Sequence, residues 1–406
     1  GALPEQRLPE KKVVLQVNTG NSIPLPLIGT GMSSRQQPLS TGEAMYLKRL
    51  GFSHLRAELH LFSPNLENQF GRMAAESSLM DIPVELCLLF GKSYKAGLKE
   101  FLAHFHRHPV RIKSITLLSQ HEKSTPPDLI KTVTPDLKMA FPGIPVGAGT
   151  NCNFAQLNRN RPDPGTVDFL SFAIHPQEHA GDDKSLFENA AAQQSTVTTA
   201  KQFARHKPVH ISPVTLQRRF NANAANYEEV EKGQGIPPQV DARQMSLAGA
   251  AWTTGSLKYL LESGTESVTY YETVGERGLM MGDHASEWPM EFPAKKGMIF
   301  PVFHVFRMLL GNAGYRTVNS FSNKPLEADG FTVISDDHGL VFLANMTHLS
   351  RQVKLEGITG VHTLLIMNAS TFLQVVRQGS VDPAREIFPR NEEGTLLRLQ
   401  PYETRI

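Results

Sequence analysis

The chain has 406 residues, of which 40% are hydrophobic and 20% charged, and a formal net charge of +2. That length and apolar content exclude a disordered chain and exceed one small core, so a large domain with a smaller companion is expected. The near-neutral charge gives no field to gather nucleic acid or an anionic membrane, and no apolar run approaches the roughly 20 residues that span a bilayer. The expected partner is therefore a small neutral or weakly acidic molecule, with oligomeric state left open. Cys87 and Cys152 are the only cysteines, which argues against a disulfide framework or thiolate metal site and fits a reducing, cytoplasmic setting. The first thirty residues lack a signal-peptide pattern, and a start at Gly-Ala without Met reads as a trimmed chain.

In chain order, residues 11–17 form a β-favouring run set apart by Pro24 and Pro26. From there to about residue 311, short β-branched runs alternate with helical patterns. Strands are expected at 27–31, 54–59, 84–90, 114–119, 145–149, 168–173, 209–212 and 268–272. Between them, Ser40 and Glu43 make a capping box, and Leu98, Phe101, Leu102 and Phe105 recur at helical spacing. Asp241 opens a long amphipathic helix through Met245, Ala248, Trp252 and Leu260, with Gly264 as its stop, and residues 300–310 supply a closing helix.

Eight such units predict an α/β fold, a (β/α)8 TIM barrel, over residues 24–311. An open dinucleotide-binding sheet is the rival, but Gly29-Thr-Gly31 lacks the third glycine of that fingerprint. After residue 312 the pattern turns to short alternating runs, including a hairpin around residues 336–339. Residues 312–406 therefore read as a small all-β, sandwich-like domain, which residues 1–23 can join through their strand.

If the barrel closes, its strand ends line one face. Strand two ends with Arg56, Glu58 and His60, spaced by two and so on one side of the strand. Strand four leads to Glu122, the position where sugar-cleaving barrels commonly carry an acid/base carboxylate. Strand five ends in Asn151 and further side-chain amides suited to hydroxyl groups. Strand six supplies His175, Gln177, His179, Asp182 and Asp183, enough for a proton-transfer unit, with Asp182 alternatively capping a helix. A metal would need His175 and His179 aligned on a helix, which Pro176 and Gly181 oppose, so neither metal nor cofactor is expected. Strand seven brings Arg218 and Arg219, holders for a carboxylate or oxyanion, and strand eight ends in Tyr271 and Glu272.

Five segments in order, Gly149 through Pro162, Ile174 through Asp183, Ser212 through Leu216, Arg243 through Ser246 and Tyr270 through Thr273, resemble the D-apionate lactonase family of sugar-acid catabolism. The resemblance implies a barrel with an appended β domain that hydrolyses a five-membered branched-chain aldonolactone. It also implies a further N-terminal domain, and the short stretch before residue 24 suggests truncation. On chemistry alone, Glu272 is the expected water-activating base, and His179 or His175 the acid or electrophile. Arg218 would meet the new carboxylate, while Asn151, Gln177, Asp182, Tyr271, Glu58 and Arg56 would contact the sugar. Two alternatives stand beside this: a glycoside hydrolase using Glu122 and Glu272 as its carboxylate pair, and a barrel that binds carbohydrate without turnover.

Overall fold

The structure is a computed structural model that describes residues 12–220, 222, 235–311, 314–360, 362–363, 365–377, 386–387 and 395–406. The early strand β1 (Val13–Pro24) precedes eight parallel strands: β2 (Leu27–Gly31), β3 (Leu55–His60), β4 (Val84–Phe90), β5 (Ile112–Ser119), β6 (Val146–Thr150), β7 (Leu170–Ile174), β8 (Val209–Val214) and β9 (Ser267–Val274). They pair in sequence order, and β9 pairs with both β2 and β8, which closes the barrel. Helices alternate with the strands, including the capped helix Thr41–Lys48, Tyr94–Arg107 and the closing helix Pro301–Leu310. Between β6 and β7 the proline-rich stretch leaves room only for the helix Phe154–Arg159 and a single turn at Pro164–Thr166.

Alternation along each strand sorts the barrel wall from its lumen. In β3, Leu55, Ala57 and Leu59 join the core under the helices, while His54, Arg56, Glu58 and His60 share the opposite, inward side. Burying this much polarity requires partners. His54 Nε2 lies 2.8 Å from Thr269 Oγ1 and 3.3 Å from Glu85, and Lys113 lies 3.7 Å from Glu85. Ser212 donates to Glu85 and accepts from Arg56 Nε at 3.0 Å. A Cβ at Gly29 would sit 2.3 Å from the His54 ring, so glycine there makes the space for this buried stack.

One irregularity decides which way Glu272 points. Pairing with β2 slips between Tyr270 and Glu272, and Tyr271 adopts φ 52°, so Tyr271 is the extra residue of a bulge. Both tyrosine hydroxyls consequently reach the outer helix Leu247–Leu261, Tyr270 to Ser256 at 2.8 Å and Tyr271 to Thr253 at 2.7 Å. Thr269 faces the lumen, so strict alternation would have sent Tyr271 inward and Glu272 outward; the bulge reverses this. Beyond the reach of β8, the short strand β10 (Gly278–Met280) flanks the end of β9.

The helix expected from Asp241 differs in two respects. Asp241 caps a single turn, Ala242–Met245, and Ser246 caps the helix proper, Leu247–Leu261. That helix is buried nearly all round rather than on one face, because the C-terminal strands cover its outer side. There β11 (Arg316–Ser322), β12 (Ala328–Ile334), β13 (Gly339–Asn345) and β14 (Arg351–Glu356) form an eight-stranded sheet with β1, Thr395–Leu399, Thr404–Arg405 and Ile366–Met367. β1 sits between β11 and β14, antiparallel to the first and parallel to the second. Phe331, Val333, Phe342 and Ala344 pack into the barrel's core, whereas Leu343, Val353, Leu355, Leu397 and Leu15 build a second core. Lys11, at the start of the expected early strand, lies outside the described residues.

Candidate active site

A cavity of about 400 Å³ opens at the C-terminal end of the barrel, off-centre over β2, β3 and β9. Its floor carries Arg56, Glu58 and Glu272, and Arg219 from the loop after β8 reaches across. Glu58 is the hub. Its Oε2 accepts from Asn151 Nδ2 at 2.8 Å, Arg56 Nη2 at 3.1 Å and Arg219 Nη1 at 3.2 Å, and its Oε1 lies 3.2 Å from His60 Nε2. Burial opposes its ionisation, but Arg219, His60 and Arg56 outweigh this and hold the carboxyl well below the usual range.

Glu272 is only 3% exposed. Its Oε2 accepts the Ser34 amide N–H at 2.6 Å. Among the described residues its buried Oε1 accepts no hydrogen bond, although the guanidinium of Arg277 lies 3.1 Å away and that of Arg219 3.9 Å away. Arg219 thus stands between the two carboxylates. The Ser34 loop is itself held by Arg72, which donates to the carbonyls of Ser33 and Arg35 and pairs with Glu76 at 3.0 Å. This arrangement offers a carboxylate oxygen with spare accepting capacity, a guanidinium facing the same space, and an imidazole held by a second carboxylate.

Of the residues singled out from sequence, Arg56, Glu58, His60, Arg219, Tyr271 and Glu272 line this cavity, and Asn151 buttresses it from below through Arg56 and Glu58. Tyr271 commits its hydroxyl to the helix layer. The other residues lie elsewhere. Glu122 is exposed and does not line this cavity. His175 and His179 line a separate cavity. Gln177 is spent on structure, donating to Asp241 at 2.6 Å and to the Leu216 carbonyl while accepting from Arg243 at 2.7 Å. Asp182 caps Asp183–Glu188 through Ser185, the capping alternative weighed above. Adjacent arginines diverge: Arg219 enters the cavity, whereas Arg218 lies close enough to His175 to disfavour its protonation.

The cavity's remaining wall was not singled out from sequence. Asn65, Asn68, Gln69 and Arg72 line it from the helix Leu66–Met80 and its N-cap, and Ser34 and Gln36 come from the loop after β2. A signal existed: the four polar positions recur at helical spacing, on the face beside the buried Leu66, Phe70 and Met73. Among the described residues, no three His, Cys, Asp or Glu side chains gather as a metal site, and no helix is long and apolar enough to cross a membrane.

The family described as D-apionate lactonase, TIM barrel domain, matches residues 28–314, the whole barrel from β2 to the end of the closing helix. The chain belongs to this family. A D-apionate lactonase of Brucella anthropi is 25% identical over 241 residues, 57% of this chain and 38% of that protein. The chain thus matches well under half the length of this curated relative. Among solved structures, a family 51 α-L-arabinofuranosidase from Bifidobacterium longum superposes with a TM-score of 0.61 at 12% identity, covering 97% of this chain and 98% of the other. A GH30 endoxylanase from Clostridium papyrosolvens gives 0.58 at 10% identity, covering 97% and 98%. At such identities the likeness is one of fold, barrel and β-sheet region together.

Proposed function

We propose that the chain is a hydrolase of carbohydrate-derived substrates, and that it opens the cyclic ester of a five-membered aldonolactone in the Glu272 cavity. The observation that carries this reading is Glu272, brought to the cavity side of β9 by the bulge, whose buried Oε1 accepts no hydrogen bond among the described residues and faces the Arg277 guanidinium at 3.1 Å. A water placed against Oε1 gives up a proton to it and attacks the lactone carbonyl carbon. The negative charge that develops on the carbonyl oxygen is met by the Arg219 guanidinium. Collapse of the tetrahedral intermediate breaks the ring C–O bond, and the departing alkoxide takes a proton through His60, which Glu58 orients. The proton held by Glu272 then returns to the imidazole or to solvent, leaving a hydroxy acid.

Asn65, Asn68 and Gln69 offer both donors and acceptors for the substrate hydroxyls, in the place first expected for Gln177 and Asp182. The family match and the lactonase relative support this reading over a glycosidase. A glycosidase needs a protonated carboxyl beside the scissile oxygen. Glu58 is the second carboxylate in the cavity, and its three cationic or imidazole neighbours keep it ionised. Glu122, the other candidate acid, is exposed away from the cavity.

The test is a panel of five-membered aldonolactones and aryl glycosides, followed by acid release and by aryl absorbance. Lactone turnover is expected, with kcat falling by about 10²-fold or more in Glu272→Gln. Aryl release without lactone turnover would overturn the proposal.

A further inference from the structure

On the outer side of the barrel wall a second cavity, of about 570 Å³, lies between the helix Phe154–Arg159, the loop after β7 and the helix Ala192–Ala204. It shares no lining residue with the Glu272 cavity. Phe154, Ile174 and Pro176 give it apolar walls. Three buried polar atoms of its lining residues have no hydrogen-bond partner among the described residues: His175 Nδ1, Glu178 Oε2 and Gln193 Nε2. His175 is 9% exposed and Gln193 3%. His175 Nδ1 and Glu178 Oε2 answer each other across 3.4 Å, which leaves Gln193 Nε2 as the buried group without a partner among the described residues, at a cost of about 1–3 kcal/mol that a polar guest in the cavity would relieve.

The chemistry of that guest follows from the lining. His175 Nδ1 and Glu178 Oε2 stand 3.4 Å apart, and the Gln193 carbonyl oxygen is anchored by Ser256 Oγ at 2.6 Å, which leaves the amide nitrogen as the open donor. Burial keeps the His175 imidazole below its ordinary value against the pull of Glu178, so a neutral ring faces the space. Hydroxyl groups both donate and accept, and two neighbouring hydroxyls satisfy a carboxylate and an amide together. Among the described residues no Lys or Arg lines the cavity, whereas Glu178 and Glu188 do, which disfavours carboxylates and phosphates. The Phe154 ring offers an apolar face for the C–H side of a sugar ring. The Glu272 cavity, by contrast, presents the guanidinium groups of Arg56, Arg72 and Arg219.

We propose that this outer cavity is a second binding site, distinct from the Glu272 cavity, for an uncharged polyhydroxylated ring of sugar size. It takes a neutral sugar or lactone and refuses the corresponding acid.

The experiment titrates the Glu272→Gln chain, in which lactone turnover is slowed about 10²-fold or more on the proposed function, with D-xylose, D-ribono-1,4-lactone and D-xylonate by calorimetry. It repeats the titration in Glu178→Gln and in Ala155→Trp, the latter a bulky side chain at the exposed rim that leaves the buried groups intact. Saturable binding of a neutral probe, weakened tenfold or more by both substitutions while D-xylonate is unaffected by them, is the expected result. Failure of every neutral probe to bind, or binding unchanged by both substitutions, overturns the proposal, as does a crystal soaked in the neutral probes whose cavity holds only ordered water. Lactone kcat/KM measured in Glu178→Gln and Ala155→Trp with Glu272 intact is expected to be unchanged, so loss of this site and failure of the lactonase reading are told apart.

Discussion

Glu58 and Glu272 are both carboxylates on inward strand ends of one barrel, yet their surroundings divide their roles. Glu58 is saturated by Arg56, Asn151, Arg219 and His60, so it is expected to orient and to hold charge. Glu272 has one oxygen that accepts no hydrogen bond among the described residues and faces only the guanidinium of Arg277 at 3.1 Å and that of Arg219 at 3.9 Å. Glu58→Gln should therefore slow lactone opening by perturbing His60 and Arg219, with a changed pH profile of kcat, whereas Glu272→Gln should depress kcat across the pH range. A Glu272→Gln chain retaining full turnover would remove Glu272 from the chemistry. Arg72 acts at one remove, through the loop that presents the Ser34 amide to Glu272. Arg72→Lys, which loses the two-pronged grip on that loop, should lower kcat several-fold with little change in thermal stability.

At the scale of the element, the bulge in β9 and the glycine in β2 position Glu272 and the buried His54 stack. Tyr271→Phe removes the hydrogen bond to Thr253 and is expected to cost about 1 kcal/mol. Gly29→Ala should cost about 1–3 kcal/mol or more, because the new methyl group would meet the buried His54 ring. Chemical denaturation of each variant measures both, and a neutral Gly29→Ala would show that the His54 stack is free to move. The strand pattern and Glu272 were legible in sequence because strand periodicity and terminal charge are local properties. The bulge was not, since nothing local distinguishes Tyr270-Tyr271 from two ordinary strand residues. The strand-six histidines line a separate cavity for a related reason: a dense cluster in sequence says which chemistry is available, not which side of the wall it faces.

Across the whole molecule, barrel and C-terminal sheet share the helix Leu247–Leu261, and further bonds tie them, Lys258 to the Ser320 carbonyl at 2.6 Å and Tyr259 to Asp329 at 2.8 Å. A chain ended at residue 311 is expected to be insoluble, and the full chain to unfold in one transition by calorimetry. The polar lumen also sets a pH response. Burial and Lys113 lower the His210 value from 6.5 to about 3, and His54 is lowered likewise, chiefly by burial. The unfolded chain therefore binds more protons, so the stabilisation is complete above about pH 6.5 and is lost as pH falls toward the folded value. One such histidine accounts for about 2 kcal/mol between pH 6.5 and 5. Glu58 and Glu85, held below their ordinary values against burial, add a second loss below about pH 4.3. The thermal midpoint should be level above pH 7 and fall below 6.5, and His210→Phe, which keeps the stack on Phe169, should shrink the first fall. A midpoint unchanged between pH 7 and 5 would refute this.

By itself the sequence determined the eight strand-helix units, the change to β structure after residue 312, the family, and the carboxylate at the end of the eighth strand. Periodicity, capping and motif order are carried by neighbouring residues, so they survive without coordinates. Only the tertiary structure decided that Glu272 faces inward, that Glu58, His60 and Arg219 rather than His179 and Arg218 surround it, and that Asn65, Asn68 and Gln69 wall the cavity. Those choices depend on strand register, on the slip at Tyr271 and on which helix face abuts the barrel mouth, all set by pairing between residues far apart in the chain.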